Sequence, residues 1–264
     1  MPRIKTLEAY ISAVERICSS WGSFSTTTLP WFRGQSEAGW DLLPSLYRSG
    51  IKNHFERELN RDFKLRATAF LQNVPTNHLE WLFIMQHHGM PTRLLDWTES
   101  HLVALYFAIS HYNHEIDGCV WILAPWSLNI CSIKQQSVPT VEHKYLQSYY
   151  LPDDSENNMV REVVAKYPIA VRPSRSSSRI VAQKGTFTIH GNLKKGLNVI
   201  TEEMNANLTS LQHGVKIAKL MIDGPSKKAL FRQLFLAGIT HSYLFPDLDG
   251  LAKEISFRYS HDFF

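Results

Sequence analysis

The sequence predicts one α+β domain with a helix-rich N-terminal half. Of its 264 residues, 44% are hydrophobic and 20% are charged, as in ordinary globular proteins. Apolar residues recur at helical spacing through the first 110 positions. Short apolar or alternating runs, typical of strands, become frequent after Asp117. The composition excludes a collagen, a coiled-coil rod and a disordered tail.

Four helices and one strand are expected in the N-terminal half. Gly22 and Gly89 favour helix ends, and Pro91 prevents the helix before it from resuming. The helix after Thr98 is apolar nearly all round, which predicts a buried central position. In order, we expect a helix over residues 5–18, a strand over 29–34, irregular chain over 39–50, and helices over 53–72, 77–88 and 102–109.

Strands dominate the expected C-terminal half. They are predicted over residues 119–123, 169–171, 180–183, 185–190 and 215–222, with a brief extended stretch at Ile239. A helix should run from Pro225 to Ala237, and Asp247 or Asp249 should cap a last helix. Residues 124–166 contain three prolines and the acidic run 153–156, which indicates an exposed insertion. Residues 1–28 are expected to be a helix and lead-in to a domain spanning 29–264.

The sequence supports neither a membrane-spanning protein nor a protein stabilised by disulfides. No window approaches the roughly 18 consecutive apolar residues of a spanning helix. The start, Met1–Thr6, has no apolar segment behind it, so we expect no signal peptide and a cytoplasmic protein. Cys18, Cys119 and Cys131 are too few for a disulfide framework or a cysteine zinc site. The net charge of +4 is compatible with an anionic partner.

The first candidate site is the strand end Trp31–Gln35. Arginine is the usual residue for bidentate capture of phosphate or carboxylate, and Arg33 could point into a cleft. Gly34 would let a ligand or another backbone approach closely. The alternative is that Arg33 pairs with a structural carboxylate.

The second candidate is the polar segment 86–98 between two buried helices. Its histidines, arginine, aspartate, tryptophan and threonines must find partners or line a pocket. Adjacent histidines on a helix point about 100° apart, which argues against a metal site. Helical spacing places His87 nearer the buried side, so His88 is the better pocket candidate. In the structural alternative, Asp96 holds Arg93 and Thr98 caps the next helix.

Two later segments carry weaker signals. Gln183 lies just before a glycine and could hydrogen-bond a ribose hydroxyl or a base edge, but an ordinary kink between two strands is the favoured interpretation. Residues 247–250 lack the later ligands of a calcium loop, so helix capping is the better interpretation. The sequence contains no GxGxxG fingerprint, no Walker A loop and no GxSxG elbow.

The order of these motifs resembles the FRG domain family, which is found largely in bacteria and their phages. The resemblance rests on five segments over residues 29–255: Phe32–Gly34, Gln86–Thr98, Ala104–Ala108, Gln183–Phe187 and Leu244–Gly250. A weaker resemblance links the layout to the split-sheet ADP-ribosyltransferase fold. It implies a small mixed or split β-sheet, NAD as substrate and a toxin or phage-defence role.

This second resemblance also implies roles for individual residues. Arg33, His88, Thr98 and Gln183 would be catalytic. Arg33, Gly34, Gln35, His87, Thr92, Arg93, Asp96 and Trp97 would bind NAD. Arg33 would hold the pyrophosphate or ribose, and one of the two histidines would contact ribose or act as a base. Gln183 stands where these enzymes carry a glutamate, and a neutral amide stabilises a cationic transition state much less.

Two other functions stay open from the sequence. A non-catalytic nucleotide or nucleic-acid binding module would use Arg33, Arg93 and the loop 172–179, and its binding would depend steeply on salt. A hydrolase or nuclease would use His87, His88 and Asp96 without NAD, and its activity would titrate like a histidine. The expected partners are a nucleotide and, for a transferase, a protein or nucleic-acid acceptor.

Overall fold

The computed structural model describes residues 2–22, 29–51, 55–110, 115–141, 143–150, 165–174, 177–208 and 213–260. The strands are β1 (Arg3–Ile4), β2 (Trp31–Gln35), β3 (Leu94–Thr98), β4 (Gly118–Leu123), β5 (Ile169–Val171), β6 (Gly185–Ile189) and β7 (Ile217–Ile222). The longer helices are α1 (Leu7–Ser20), α3 (Glu56–Ala67), α4 (His78–His87), α5 (His101–Ile109), α6 (Pro125–Ile133), α8 (Leu197–Ala206), α9 (Lys227–Leu236) and α11 (Leu248–Ser260). Three short helices are α2 (Ser45–Arg48), α7 (Ser178–Ala182) and α10 (His241–Leu244).

The described strands form one sheet in the order β1-β7-β4-β2-β3-β6-β5. β1 and β7 are parallel, and the other neighbours are antiparallel. Strand β2 pairs with β4 along its whole length, from Trp31 opposite Leu123 to Gln35 opposite Cys119. The predicted α+β class is therefore confirmed.

The sheet opens between β2 and β3. Among the described residues, these strands are paired only where Phe32 lies opposite Thr98, and beyond that pair they separate. Strand β3 instead pairs along its length with β6, from Leu94 opposite Ile189 to Thr98 opposite Gly185. The opening leaves a wedge in the middle of the sheet, with one wall from each strand.

Helix α5 packs closely against β2. Phe32 shares a core with Ala104 and Ala108 of this helix, both of which are completely buried. A Cβ atom on Gly34 would lie 1.9 Å from the Ala104 carbonyl oxygen and 2.6 Å from the Ala108 backbone nitrogen. Glycine is thus required at position 34, because helix α5 leaves no space there for a Cβ atom. The predicted buried helix over 102–109 is confirmed as α5.

Polar caps fix the beginnings of several helices. The side chains of Thr6, Asn77 and Ser100 accept backbone N–H groups at the starts of α1, α4 and α5. Ser100 caps α5, so the expected cap at Thr98 is wrong. At the start of α11, Asp247 Oδ1 accepts the Gly250 N–H at 2.6 Å, which confirms the predicted cap.

Two expectations on local structure are wrong. Residues 180–183 belong to a helical turn rather than a strand, because Ser177 caps α7 by accepting the Ile180 N–H. Thr240 likewise starts α10, where an extended stretch was expected. The helix α8 was not predicted.

The buried side of α3 combines polar and apolar residues. Glu56 and Asn60 are buried, and Phe63 is partly buried against a hydrophobic core. Phe70, beyond the end of α3, is 87% exposed.

The segment 124–166 is packed where the structure describes it. Pro125, Leu128 and Asn129 of α6 are buried, and Asn129 donates to the Ala170 carbonyl oxygen at 3.1 Å in β5. An exposed insertion is therefore wrong for α6. The acidic run 153–156 and the polar lead-in 23–28 lie outside the described residues. None of the described helices combines the length and apolar character that a membrane span requires.

Candidate functional site

The wedge between β2 and β3 is a cleft of about 340 Å³. It has three arginines in its lining, Arg33, Arg48 and Arg179, and two carboxylates, Asp41 and Asp96. The carboxylates offset only part of the positive charge, so the cleft favours anionic ligands. Its volume lies within the usual range of small-molecule sites.

Arg33 spans the opening from β2 to β3. Its Nη1 donates to the Asp96 carbonyl oxygen at 2.6 Å and lies 3.5 Å from Asp96 Oδ2. Its Nε is buried and has no hydrogen-bond partner within the described part of the chain. Burial lowers the pKa of the Arg33 guanidinium and Asp96 raises it, but an arginine with so high an ordinary pKa stays charged. The Arg33 side chain is 18% exposed, so part of this fixed cation is accessible to a ligand in the cleft.

A hydrogen-bonded chain fixes Asp96. Gln86 Nε2 donates to Asp96 Oδ2 at 3.0 Å, and Gln86 Oε1 accepts the Thr92 hydroxyl at 2.6 Å. Thr92 Oγ1 in turn accepts the Leu94 N–H at 3.1 Å. The Asp96 side chain nevertheless remains 55% exposed to the cleft.

Arg48 and Arg179 supply the other positive charges. Arg48 Nε donates to the Leu43 carbonyl oxygen at 3.0 Å. The Arg179 guanidinium lies 4.7 Å from the centre of the Phe245 ring and donates to the His87 carbonyl oxygen at 3.5 Å. In the described ranges, no carboxylate forms an ion pair with either arginine.

Gln183 reaches the cleft from the end of α7. Thr98 Oγ1 donates to the Gln183 carbonyl oxygen at 2.6 Å and accepts the Ser100 N–H at 3.0 Å. The Gln183 side-chain Nε2 donates to the Leu244 carbonyl oxygen at 3.1 Å. Thr98 therefore ties the end of β3 to α7, and both residues line the cleft.

Residues 29–116 match the family model of the FRG domain. Over these residues the chain is similar to the FRG domain. The match includes β2, β3 and α5, hence both strands that border the cleft. Comparisons with curated proteins and with solved structures gave no match. The resemblance over residues 117–255 rests on motif order and stays a prediction.

Four residues of the matched region that were expected in the site lie elsewhere. Thr92 and Arg93 are buried behind the cleft, and His87 and His88 border other surface grooves. His88 is exposed beside the apolar side of α3, because it follows the last turn of α4 and points away from β3. In the described ranges, no group of three or more His, Cys, Asp or Glu residues could hold a metal ion.

Arg93 is paired with Glu56 of α3, whereas Asp96 contacts Arg33. Arg93 Nε donates to Glu56 Oε1 at 2.7 Å, and its Nη2 contacts Glu56 Oε2. Both side chains are nearly inaccessible, at 6% and 7% exposure. The suggestion that Asp96 holds Arg93 is therefore wrong.

Three expected ligand contacts have structural partners instead. Gly34 faces α5, as its missing Cβ shows. Gln35 Oε1 accepts the Trp121 indole N–H at 2.8 Å, and its Nε2 donates to the Asp41 carbonyl oxygen at 3.2 Å. The Trp97 indole donates to Thr188 Oγ1 at 3.1 Å and is 3% exposed. These residues shape the walls of the cleft.

Sequence reasoning did not single out several residues that line the cleft, among them Trp40, Asp41 and Arg48. Gln86 lies inside the recognised 86–98 segment, and Arg179 ends the loop 172–179 that was expected to bind a nucleotide or nucleic acid in the non-catalytic alternative. Trp40 and Arg48 come from irregular chain and a short helix, where no periodicity indicates direction.

His190 lies beside the Arg93–Glu56 pair, and we expect it to make the protein sensitive to acid. It is completely buried, and its ring nitrogens have no hydrogen-bond partner within the described ranges. Burial, followed by the charges of Arg93 and Arg33, lowers the pKa of His190 to about 3. Between its ordinary pKa near 6.5 and this value, the unfolded chain binds a proton that the folded chain does not.

We expect this histidine to lower the free energy of unfolding by about 1.4 kcal/mol for each pH unit below about 6.5. Urea denaturation of wild type and His190→Leu at about pH 7 and about pH 5 measures the difference. Wild type should lose about 2 kcal/mol more than the variant over this interval. Equal losses would show that His190 is accessible to protons in the folded state.

Proposed function

We propose that the cleft binds NAD and that the chain is an ADP-ribosyltransferase-like enzyme. The observation that carries the proposal is the position of Arg33, whose guanidinium spans the opening of the sheet and whose side chain is 18% exposed at the cleft. The pyrophosphate of NAD presents acceptor oxygens that suit a guanidinium. Arg48 and Arg179 add positive charge on either side.

The open sheet supports the proposed resemblance to the ADP-ribosyltransferase fold. A split-sheet enzyme needs two strands that separate around the substrate, and β2 and β3 separate beyond the Phe32–Thr98 pair. Arg33 on β2, Thr98 on β3 and Gln183 just before β6 line the resulting cleft. Their order along the chain is the order that the resemblance implies.

Aromatic side chains give the cleft a surface for a nucleobase. Trp40 lines it and is 45% exposed, which is unusual for so large an apolar side chain. Phe107 lines another part. Stacking of a base on an aromatic ring contributes about 1–3 kcal/mol. A cationic cleft with an accessible indole therefore fits a nucleotide better than a simple inorganic anion.

The proposed reaction transfers ADP-ribose from NAD to an acceptor and releases nicotinamide. Arg33 would hold the pyrophosphate, and Thr98 and Gln183 would position the ribose. An enzyme with this activity would suit a toxin or phage-defence effector. His87 and His88 lie outside the cleft, which counts against the hydrolase alternative. The neutral side chain of Gln183 favours a non-catalytic nucleotide-binding module as the second candidate.

Nicotinamide release from labelled NAD, with and without a bacterial lysate as acceptor, tests the proposal. We expect wild type to release nicotinamide and Arg33→Gln to lose about 10- to 100-fold in kcat/KM, because a hydrogen bond to a charged phosphate contributes about 1.5–3 kcal/mol. The exposed Arg232→Gln is the matched control and should behave as wild type. Binding of NAD without release would favour the non-catalytic module, and absence of both would refute the proposal.

A further inference from the structure

We infer that Asp96 is the carboxylate that stabilises the transition state of this reaction and that Gln86 positions it. The inference rests on the proposed function and identifies its missing acidic group. Gln183 cannot supply negative charge, so a transferase in this cleft needs another carboxylate. Among the described residues, the carboxylates that line the cleft are Asp41 and Asp96.

The contacts of the two carboxylates distinguish them. Asp41 Oδ1 accepts the Asn198 Nδ2 donor at 2.9 Å, which ties Asp41 to α8. Asp96 lies on β3, next to the opening that Arg33 spans. Its Oδ2 accepts from Gln86, and within the described ranges no hydrogen bond occupies its Oδ1. Asp96 thus combines a fixed orientation with a free acceptor atom.

The hydrogen-bond chain behind Asp96 has only one workable direction. The Thr92 hydroxyl accepts the Leu94 N–H, so its own proton points to Gln86 Oε1. With its oxygen used in this way, Gln86 must present its NH₂ group to Asp96. Thr92 is 1% exposed, which protects this arrangement from exchange with water. Gln86 therefore holds Asp96 with a neutral donor and leaves the carboxylate charge intact.

Arg33 links substrate binding to this carboxylate. The guanidinium lies 3.5 Å from Asp96 Oδ2 and offsets its charge. A pyrophosphate bound to Arg33 would neutralise the guanidinium, and Asp96 would then act on the ribose with less opposition. The full negative charge of the Asp96 carboxylate would therefore act on the ribose only when the substrate is bound.

The step itself is a glycosyl transfer. The bond between ribose C1′ and the nicotinamide nitrogen breaks, and its electron pair goes to that nitrogen, so nicotinamide leaves as a neutral molecule. Positive charge develops on the ribose C1′ and ring oxygen, where a nearby carboxylate stabilises it electrostatically. Water or an acceptor hydroxyl forms the new bond to C1′ and releases its proton to solvent.

Three variants of the full chain test the inference with NAD as the probe. We expect Asp96→Asn to lower the rate of nicotinamide release by roughly a hundredfold, while the Kd for NAD changes less than about threefold. Gln86→Leu should lower kcat about tenfold while KM changes less than about threefold, because it frees Asp96 from its orientation. Asp62→Asn, an exposed carboxylate on α3, is the control and should match wild type.

The outcomes separate this inference from the proposed function. Release by wild type together with undiminished release by Asp96→Asn overturns the role of Asp96 and leaves the proposed function in place. A loss in Asp96→Asn that comes from failed NAD binding overturns it as well. No release by wild type overturns both. Unchanged kcat in Gln86→Leu removes the positioning role of Gln86.

Discussion

Replacement of Gly34 by alanine is expected to destabilise the folded protein strongly. The new Cβ would lie 1.9 Å from the Ala104 carbonyl oxygen, and both contacting groups are backbone atoms of α5. No side chain can rotate away to relieve such an overlap. β2 is paired with β4 along its whole length, so it cannot move from the helix without disrupting the sheet. Overpacking ordinarily costs 1–3 kcal/mol, and we expect at least about 3 kcal/mol here.

Urea denaturation followed by circular dichroism measures this loss. Gly39→Ala is the matched control, because a Cβ at Gly39 has open space around it. We expect this control to change the free energy of unfolding by less than about 0.5 kcal/mol. A Gly34→Ala protein as stable as wild type would contradict the close approach of α5 to β2.

Loss of Arg93 should be the second large effect. Arg93→Met would leave the Glu56 carboxylate buried without its cation, at a cost of about 3–5 kcal/mol. The double variant Arg93→Met with Glu56→Leu removes both charges and should recover at least half of the loss, since apolar replacements of buried pairs are often tolerated. Denaturation midpoints of the two variants give the comparison.

An exposed ion pair supplies the control for this experiment. Lys195 and Glu203 lie 2.6 Å apart, and each is 50% exposed. Lys195→Met should therefore cost no more than about 1 kcal/mol. A similar cost for Arg93→Met would show that Glu56 is accessible to water in the folded protein.

The predictable part of the fold consists of strongly periodic helices. α1, α4, α5 and α9 were predicted because each has a clear apolar pattern and a defined end. The helix α7 was predicted as a strand because its five residues are too short to show a helical period, and the decisive feature is the Ser177 cap. Local sequence patterns could not predict the order of the strands in the sheet, because that order depends on contacts between distant segments.

Local sequence patterns are equally unable to predict which partner each side chain of the candidate site contacts. The segment 86–98 was selected correctly as a polar cluster, but its sequence does not say which residue faces which partner. Arg93 and Asp96 are only three positions apart, and each has a partner far along the chain, Glu56 and Arg33 respectively. The sequence allowed two interpretations of Gly34, close approach of a ligand or close approach of another backbone. Only the position of α5 decides for the backbone.

The most direct test of the central claim is equilibrium binding of NAD, measured by isothermal titration calorimetry. We expect wild type to bind NAD and Arg33→Gln to bind at least about tenfold more weakly, with Arg232→Gln unchanged. Circular dichroism spectra that match wild type would establish that the Arg33 variant is folded. Failure of the folded wild-type protein to bind NAD, or equal affinity of wild type and Arg33→Gln, would contradict the assignment of this cleft to NAD.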